Sequence, residues 1–189
     1  MAAKLLTNCA ASTLLTNCAA STLLVDCGQT CTFTITATLD WTDGTDLDLY
    51  GREDALSAVY YDNIPQVGVG GTLASGTPNQ YDAHPVCADA PYPPEIITGD
   101  YTFDTPVVRE FRFWYNRYST CPTVGAYTGT ETTEIRVTNT GGYSICVNGE
   151  DIAPGDDYVS STIYHLSSSG NQSAYNGGTL IEITCASCP

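Results

Sequence analysis

Between Thr32 and Leu39 every second residue is a threonine: Thr32-Phe33-Thr34-Ile35-Thr36-Ala37-Thr38-Leu39. Strict alternation of hydroxyl and apolar side chains puts one kind on each face of a pleated strand, so this stretch predicts a half-buried strand. Asp43-Gly44 then marks a turn, and Asp46-Leu47-Asp48-Leu49-Tyr50 alternates again, with both carboxylates on one face. Residues 55–61 and 111–115 read as further strands. In the latter, Phe111, Phe113, Trp114 and Tyr115 crowd into five positions and are expected to line the core. Residues 62–100 are rich in Gly and Pro with weak periodicity, and read mainly as loop. Residues 131–138 alternate. Residues 138–142 form a turn signal leading into 143–147, Asn148-Gly149 is a type I′ hairpin signal, and residues 179–185 give a last strand. Short strands separated by turn residues predict an all-β fold, an antiparallel β-sandwich of the jelly-roll or immunoglobulin-like kind. We divide the chain into an arm over 1–31, a sandwich body over 32–140, and C-terminal hairpins over 141–189 that complete the sandwich or are appended to it.

The arm breaks this pattern. Residues 5–13 and 14–22 are the same nine residues, LLTNCAAST, and residues 23–31 read LLVDCGQTC. Cys9, Cys18 and Cys27 occupy equivalent places. A nine-residue step turns successive copies to opposite faces of either a helix or a strand, so the repeat fits an extended or irregular arm better than an amphipathic element. A lone globular domain has no use for an identical segment in tandem. A chain that docks several times on neighbouring copies does, and the repeat points to self-assembly.

Composition narrows the setting. The chain has 189 residues with 21 Asp and Glu against 6 Lys and Arg, a formal charge of −15. That excludes general binding to nucleic-acid backbone, which needs a basic footprint, and disfavours docking on anionic lipid. No run approaches the ~18 apolar residues of a membrane span. The nine cysteines are Cys9, Cys18, Cys27, Cys31, Cys87, Cys121, Cys146, Cys185 and Cys188. Only Cys185 and Cys188 have the spacing of half a zinc ribbon, so disulfides in an oxidising place are the better reading. An odd count leaves at least one thiol free or bonded to another chain, and the repeated thiols favour bonding between chains. The leading apolar run, Leu5-Leu6, is too short for a secretory signal. Extracellular chemistry without an export tag fits a virion component released by lysis, or a processed chain. The expected location is extracellular or the virion surface.

Asp40, Asp43, Asp46 and Asp48 fall within nine residues. Carboxylates so close repel one another unless solvated, protonated or bound to a cation, and Ca²⁺ takes about six to eight oxygens. The competing reading is an exposed acidic turn. The stretch is not an EF-hand: strands flank it and no Glu closes a loop.

Six elements also occur in order: Trp41, Asp46-Leu47-Asp48-Leu49-Tyr50, Val59-Tyr60-Tyr61-Asp62-Asn63, Gly70-Gly71-Thr72-Leu73, Pro94-Glu95-Ile96-Ile97 and Gly99-Asp100-Tyr101. Over residues 38–118 this resembles the YfaP-type domain of unknown function. The resemblance implies a small, non-catalytic β-sandwich of secreted or surface proteins. It departs from the family where His is usual and Tyr50 stands, and where an Asp usually follows Gly-Gly-x-Leu but Ala74-Ser75 follow. Candidate cation ligands are therefore Asp46, Asp48, Asp82 and Glu95, with Asn63 further out and Asp89 an alternative to Asp82.

Enzyme motifs are missing. His84 and His165 lie far apart, and there is no Gly-x-Ser-x-Gly elbow, phosphate loop or His-Glu-x-x-His. No catalytic residue is assigned. The expected function is that of a non-enzymatic structural subunit of an extracellular fibre or virion, joined to copies of itself by arm and disulfides and stiffened by Ca²⁺. The alternative is an adhesion or carbohydrate-binding module that meets glycans through tyrosines in residues 60–101.

Overall fold

A computed structural model describes residues 30–42, 45–54, 56–60, 66–68, 70–75, 94–103, 108–119, 130–186 and 188. The nonapeptide arm with Cys9, Cys18 and Cys27 lies outside the described residues, as do Asp43, Asn63, Asp82, Cys87, Asp89 and Cys121.

Among the described residues, twelve strands form two sheets. They are β1 (Cys31–Trp41), β2 (Asp46–Glu53), β3 (Gln66–Val67), β4 (Gly71–Ser75), β5 (Glu95–Phe103), β6 (Val108–Ser119), β7 (Glu131–Gly142), β8 (Ile145–Val147), β9 (Glu150–Ile152), β10 (Asp157–Ser160), β11 (Tyr164–Ser169) and β12 (Thr179–Thr184). The first sheet runs β10-β7-β1-β5-β4-β3. The second runs β11-β6-β12-β8-β9, with β2 also on β6. All pairings are antiparallel except β11 with β6. The expected all-β sandwich is present, and no helix occurs among the described residues.

The period-two pattern decides what is buried. Phe33, Ile35, Ala37 and Leu39 of β1 point into the core, while Thr34 and Thr36 reach across the outer face to Asp100 and Thr98 of β5. From the second sheet Leu47, Leu49, Phe111, Phe113, Ile181 and Ile183 face them. Phe33 stacks on Tyr101 at 5.4 Å and meets Phe111 edge-on at 6.1 Å, so the two sheets share one aromatic centre. Each such side chain removed from water contributes about 1.5–3 kcal/mol.

Three sequence expectations are corrected. The segment read as loop over 62–100 contains β3, β4 and most of β5, and β5 lies beside β1 in the middle of its sheet. Its inward residues are Glu95, Ile97, Gly99, Tyr101 and Phe103. An acid and a glycine on the buried face hid the alternation. The strand expected over 55–61 reduces, in its described part, to one bridge between Gly51 and Val59. The turn expected at 138–142 is instead the end of β7, which β1 pairs through Gly142 with a register shift at Thr32/Phe33. Buried Asn139 makes that irregular end stable: its Nδ2 donates to the carbonyls of Tyr143 and Ile152, and its Oδ1 accepts from Gly141 N–H. The hairpin at Asn148-Gly149 is as expected, with φ of 49° and 86° at its two corner residues.

The C-terminal strands are woven into both sheets. β10 pairs β7, and β12 pairs β6 and β8. The strands also give the sandwich two poles. One carries Cys31, Glu53, Phe103 and Cys185; the other carries Trp41, Asp46, Glu95 and Ser119. An 11-residue strand such as β1 spans roughly 35 Å between them.

Candidate functional site

In its described part the acidic stretch is mostly strand, with two of its carboxylates buried. Asp46 and Asp48 are buried on β2, and Asp40 alone of the described members of the cluster is exposed. β2 is covered on both faces. Leu47 and Leu49 enter the core between the sheets, while Tyr50 turns outward and stacks on Trp114 of β6 at 5.5 Å and 4°. Tyr60, Leu166 and Tyr175 roof that stack and keep water from the outer face. Asp48 is the next residue along the same face and is fully buried.

The local bonding is specific. Tyr50 Oη donates to Asp48 Oδ2 at 3.0 Å and accepts from Gln172 N–H at 3.3 Å. Glu95, reaching over from β5, accepts the Leu49 N–H on Oε2 at 2.6 Å. Burial pushes the Tyr50 phenol well above its ordinary range, and the charges of Asp48 and then Glu95 add to that shift. Two of the expected ligands, Asp48 and Glu95, thus come from different sheets to one corner. Asp46 lies one step further along the same face of β2, beside the Trp41 indole that donates to Thr45 O. Asp82 and Asn63 lie outside the described residues.

A further group at this corner was not foreseen. Asn116 of β6 stands directly across from Asp48 in the strand register and is fully buried. Its Nδ2 donates to the carbonyls of Arg117, Ser168 and Gly170, which fixes the amide orientation. Its Oδ1 is buried and, among the described residues, accepts no hydrogen bond. A buried acceptor left open beside a carboxylate is the arrangement a cation would complete, and a calcium site takes amide and carboxylate oxygens alike. Among the described residues no three His, Cys, Asp or Glu side chains stand close enough to hold a metal ion. A cation here would rest on Asp48, Glu95 and neutral oxygens such as Asn116 Oδ1. Nothing in the sequence spacing marks Asn116; only the strand register brings it to Asp48.

The described cysteines are all paired. Cys31 bonds Cys185, and Cys146 bonds Cys188. The Cys185-x-x-Cys188 spacing is therefore not half of a metal site, since each sulfur belongs to a separate disulfide. Cys31–Cys185 ties the first residue of β1 to the residue after β12, across the two sheets and at the pole where residues 1–30 join the body. His165 is half-exposed and stacks on Tyr115 at 4.6 Å, with Nδ1 4.0 Å from Glu131.

Two disulfides fit an oxidising, extracellular setting, and no helix among the described residues is long and apolar enough to cross a membrane. No family model, curated protein or solved structure matches the chain. The class defined here is thus a disulfide-tied β-sandwich, and the YfaP-type resemblance rests on its six sequence elements.

Proposed function

We propose that this chain is a non-enzymatic structural subunit that joins to copies of itself in an extracellular fibre or virion. One observation carries the reading. The repeat arm enters the body at a covalent corner, where Cys31 is bonded to Cys185. A pull on the arm passes into the disulfide and the C-terminal strand rather than peeling β1 from its sheet. A tether between molecules needs this arrangement; a loose N-terminal tail does not.

Two facts support it. The remaining cysteines, Cys9, Cys18, Cys27, Cys87 and Cys121, are odd in number, so they cannot all pair within one chain. The segments bearing Cys87 and Cys121 join β4 to β5 and β6 to β7 at the pole opposite the arm. An arm that leads into one pole, and cysteine-bearing segments whose described strand ends lie at the other, suit head-to-tail contacts, which propagate into filaments when they do not close. In this reading Ca²⁺ at Asp48, Glu95 and Asn116, with Asp46 nearby, stiffens the far pole where the next subunit docks.

Purified full-length chain, oxidised and run on non-reducing gels, is expected to give a ladder of covalent oligomers and filaments or particles by electron microscopy. Removal of residues 1–29 is expected to abolish both while leaving the sandwich folded. A monodisperse oxidised monomer, unaffected by that deletion, rejects the proposal.

A further inference from the structure

The outer face of the second sheet holds an electrostatic anomaly unrelated to the acidic pole. Arg52 of β2 and Arg112 of β6 stand directly opposite each other in the strand register. Like charges in that position repel, and the chain offers 21 carboxylates with which to avoid it. Arg109, Arg112 and Arg136 each take at least one: Arg109 pairs with Asp54 and Glu53, Arg112 with Glu110, and Arg136 with Glu134 and Asp157. Arg52 has no carboxylate within ion-pair distance among the described residues. Among the described residues it donates to the side-chain and main-chain oxygens of Asn176, at 2.5 and 3.1 Å, and its buried Nε meets no acceptor. Neutral oxygens satisfy some of the guanidinium's donors without forming an ion pair. Arg52, Arg112, Asp54, Glu110 and Asn176 together line an open cavity of about 590 Å³, within the size range of small-ligand sites.

We infer that this cavity binds an otherwise uncharged glycan that carries a single carboxylate-bearing sugar. Two guanidinium forks side by side match a planar carboxylate and would relieve their mutual repulsion. Asp54 and Glu110 on the same wall accept hydrogen bonds from sugar hydroxyls. The same two carboxylates repel a doubly charged phosphate or sulfate. The net charge of −15 repels polyanions at long range, but acts weakly on a single charge brought within the ~8 Å screening length of physiological salt. One carboxylate on an otherwise uncharged, hydroxyl-rich ligand is the chemistry that meets all of these conditions. The inference is independent of self-assembly.

The test uses the full chain with sialyllactose and lactose as probes, read by titration calorimetry and saturation-transfer NMR. Sialyllactose is expected to bind and lactose not to bind. Arg52→Gln and Arg112→Gln are each expected to weaken binding about tenfold or more, the loss that follows from removing a charge-assisted hydrogen bond. Arg136→Gln, outside the cavity, is expected to leave it unchanged. Thermal melts identify any variant that fails to fold, and the other arginine then carries the comparison. Equal binding of lactose, no binding of sialyllactose, or undiminished binding by the folded variants overturns the inference. So does loss of self-association in Arg52→Gln by sedimentation with no glycan bound, because the carboxylate would then come from a second copy of the chain.

Discussion

Asp48 is a buried carboxylate that meets a phenol donor on one side and an open amide acceptor on the other. If a cation completes this corner, Tb³⁺ is a fitting probe, because Trp114 is the next outward residue on β6 before Asn116 and can sensitise lanthanide emission. Wild-type chain is expected to give sensitised emission that excess Ca²⁺ removes, and Asp48→Asn to weaken it about tenfold or more. Silence from wild type, or full emission from the variant, sinks the cation reading. The tyrosines make a separate prediction. Burial raises the phenols of Tyr50 and Tyr101 far above their ordinary range, and pushes Tyr115 up to about 12, with Glu131 adding to the last. In the unfolded chain they ionise near pH ~10. Above that value the unfolded state loses protons that the folded state keeps, so stability is intact below pH ~10 and falls as pH rises beyond it. Denaturation midpoints measured from pH 8 to 12 are expected to show that fall, and Tyr50→Phe to flatten it. A flat profile through pH 11 contradicts the burial of these phenols. The sequence made Asp46, Asp48 and Glu95 legible as candidates through spacing and resemblance. It could not reveal Asn116 or Arg52, because each gains its meaning from the residue across the strand, and cross-strand register is absent from a linear pattern.

The strands that were legible are those whose buried face is uniformly apolar. β1 presents Phe33, Ile35, Ala37 and Leu39 inward and reads plainly. β5 presents Glu95 and Gly99 inward and so lacks the strand pattern in its sequence, although it is central. Its buried polar residue belongs to the candidate site: Glu95 leaves the apolar pattern in order to accept the Leu49 N–H of a strand in the other sheet. The same logic applies to β7, whose Asn139-Thr140-Gly141-Gly142 looks like a turn yet continues the strand, because Asn139 satisfies the irregular backbone. Gly142, at φ 83°, allows close approach to the Thr30 carbonyl where the arm begins. Covalent closure at this pole sets the stability of β1 and β12 together. Cys31 and Cys185 are 154 residues apart, so their bond restricts a long loop in the unfolded chain. Cys31→Ser with Cys185→Ser is expected to cost roughly 2–5 kcal/mol in urea or thermal unfolding. A change under about 0.5 kcal/mol, the range of an ordinary surface substitution, would mean that the bond does not fasten this corner.

The whole molecule combines two kinds of cysteine with different duties. Those in the described body are committed to single partners, Cys31 to Cys185 and Cys146 to Cys188. Cys9, Cys18 and Cys27 are equivalent by sequence, so the assembly reading makes them interchangeable. Interchangeable linkers predict a particular dose response. Changing any one of the three to Ser is expected to leave the covalent ladder on non-reducing gels largely intact. Changing all three is expected to remove it without lowering the thermal midpoint of the sandwich, because the described core is built from residues 31 onward. The polarity of the fold predicts which partners they choose. The arm joins the body at the Cys31 pole, while Cys87 and Cys121 belong to segments that join strands at the Trp41 pole. A head-to-tail polymer requires peptide mapping of the unreduced material to recover arm cysteines bonded to Cys87 or Cys121 of another copy. Isotope-mixed subunits distinguish these bonds from ones within a chain. Recovery of arm-to-arm bonds alone would mean that subunits meet at like poles, and would overturn the head-to-tail arrangement. A single cysteine that accounts for the whole ladder would remove the reason for the repeat, and with it the argument that the tandem segment works between molecules.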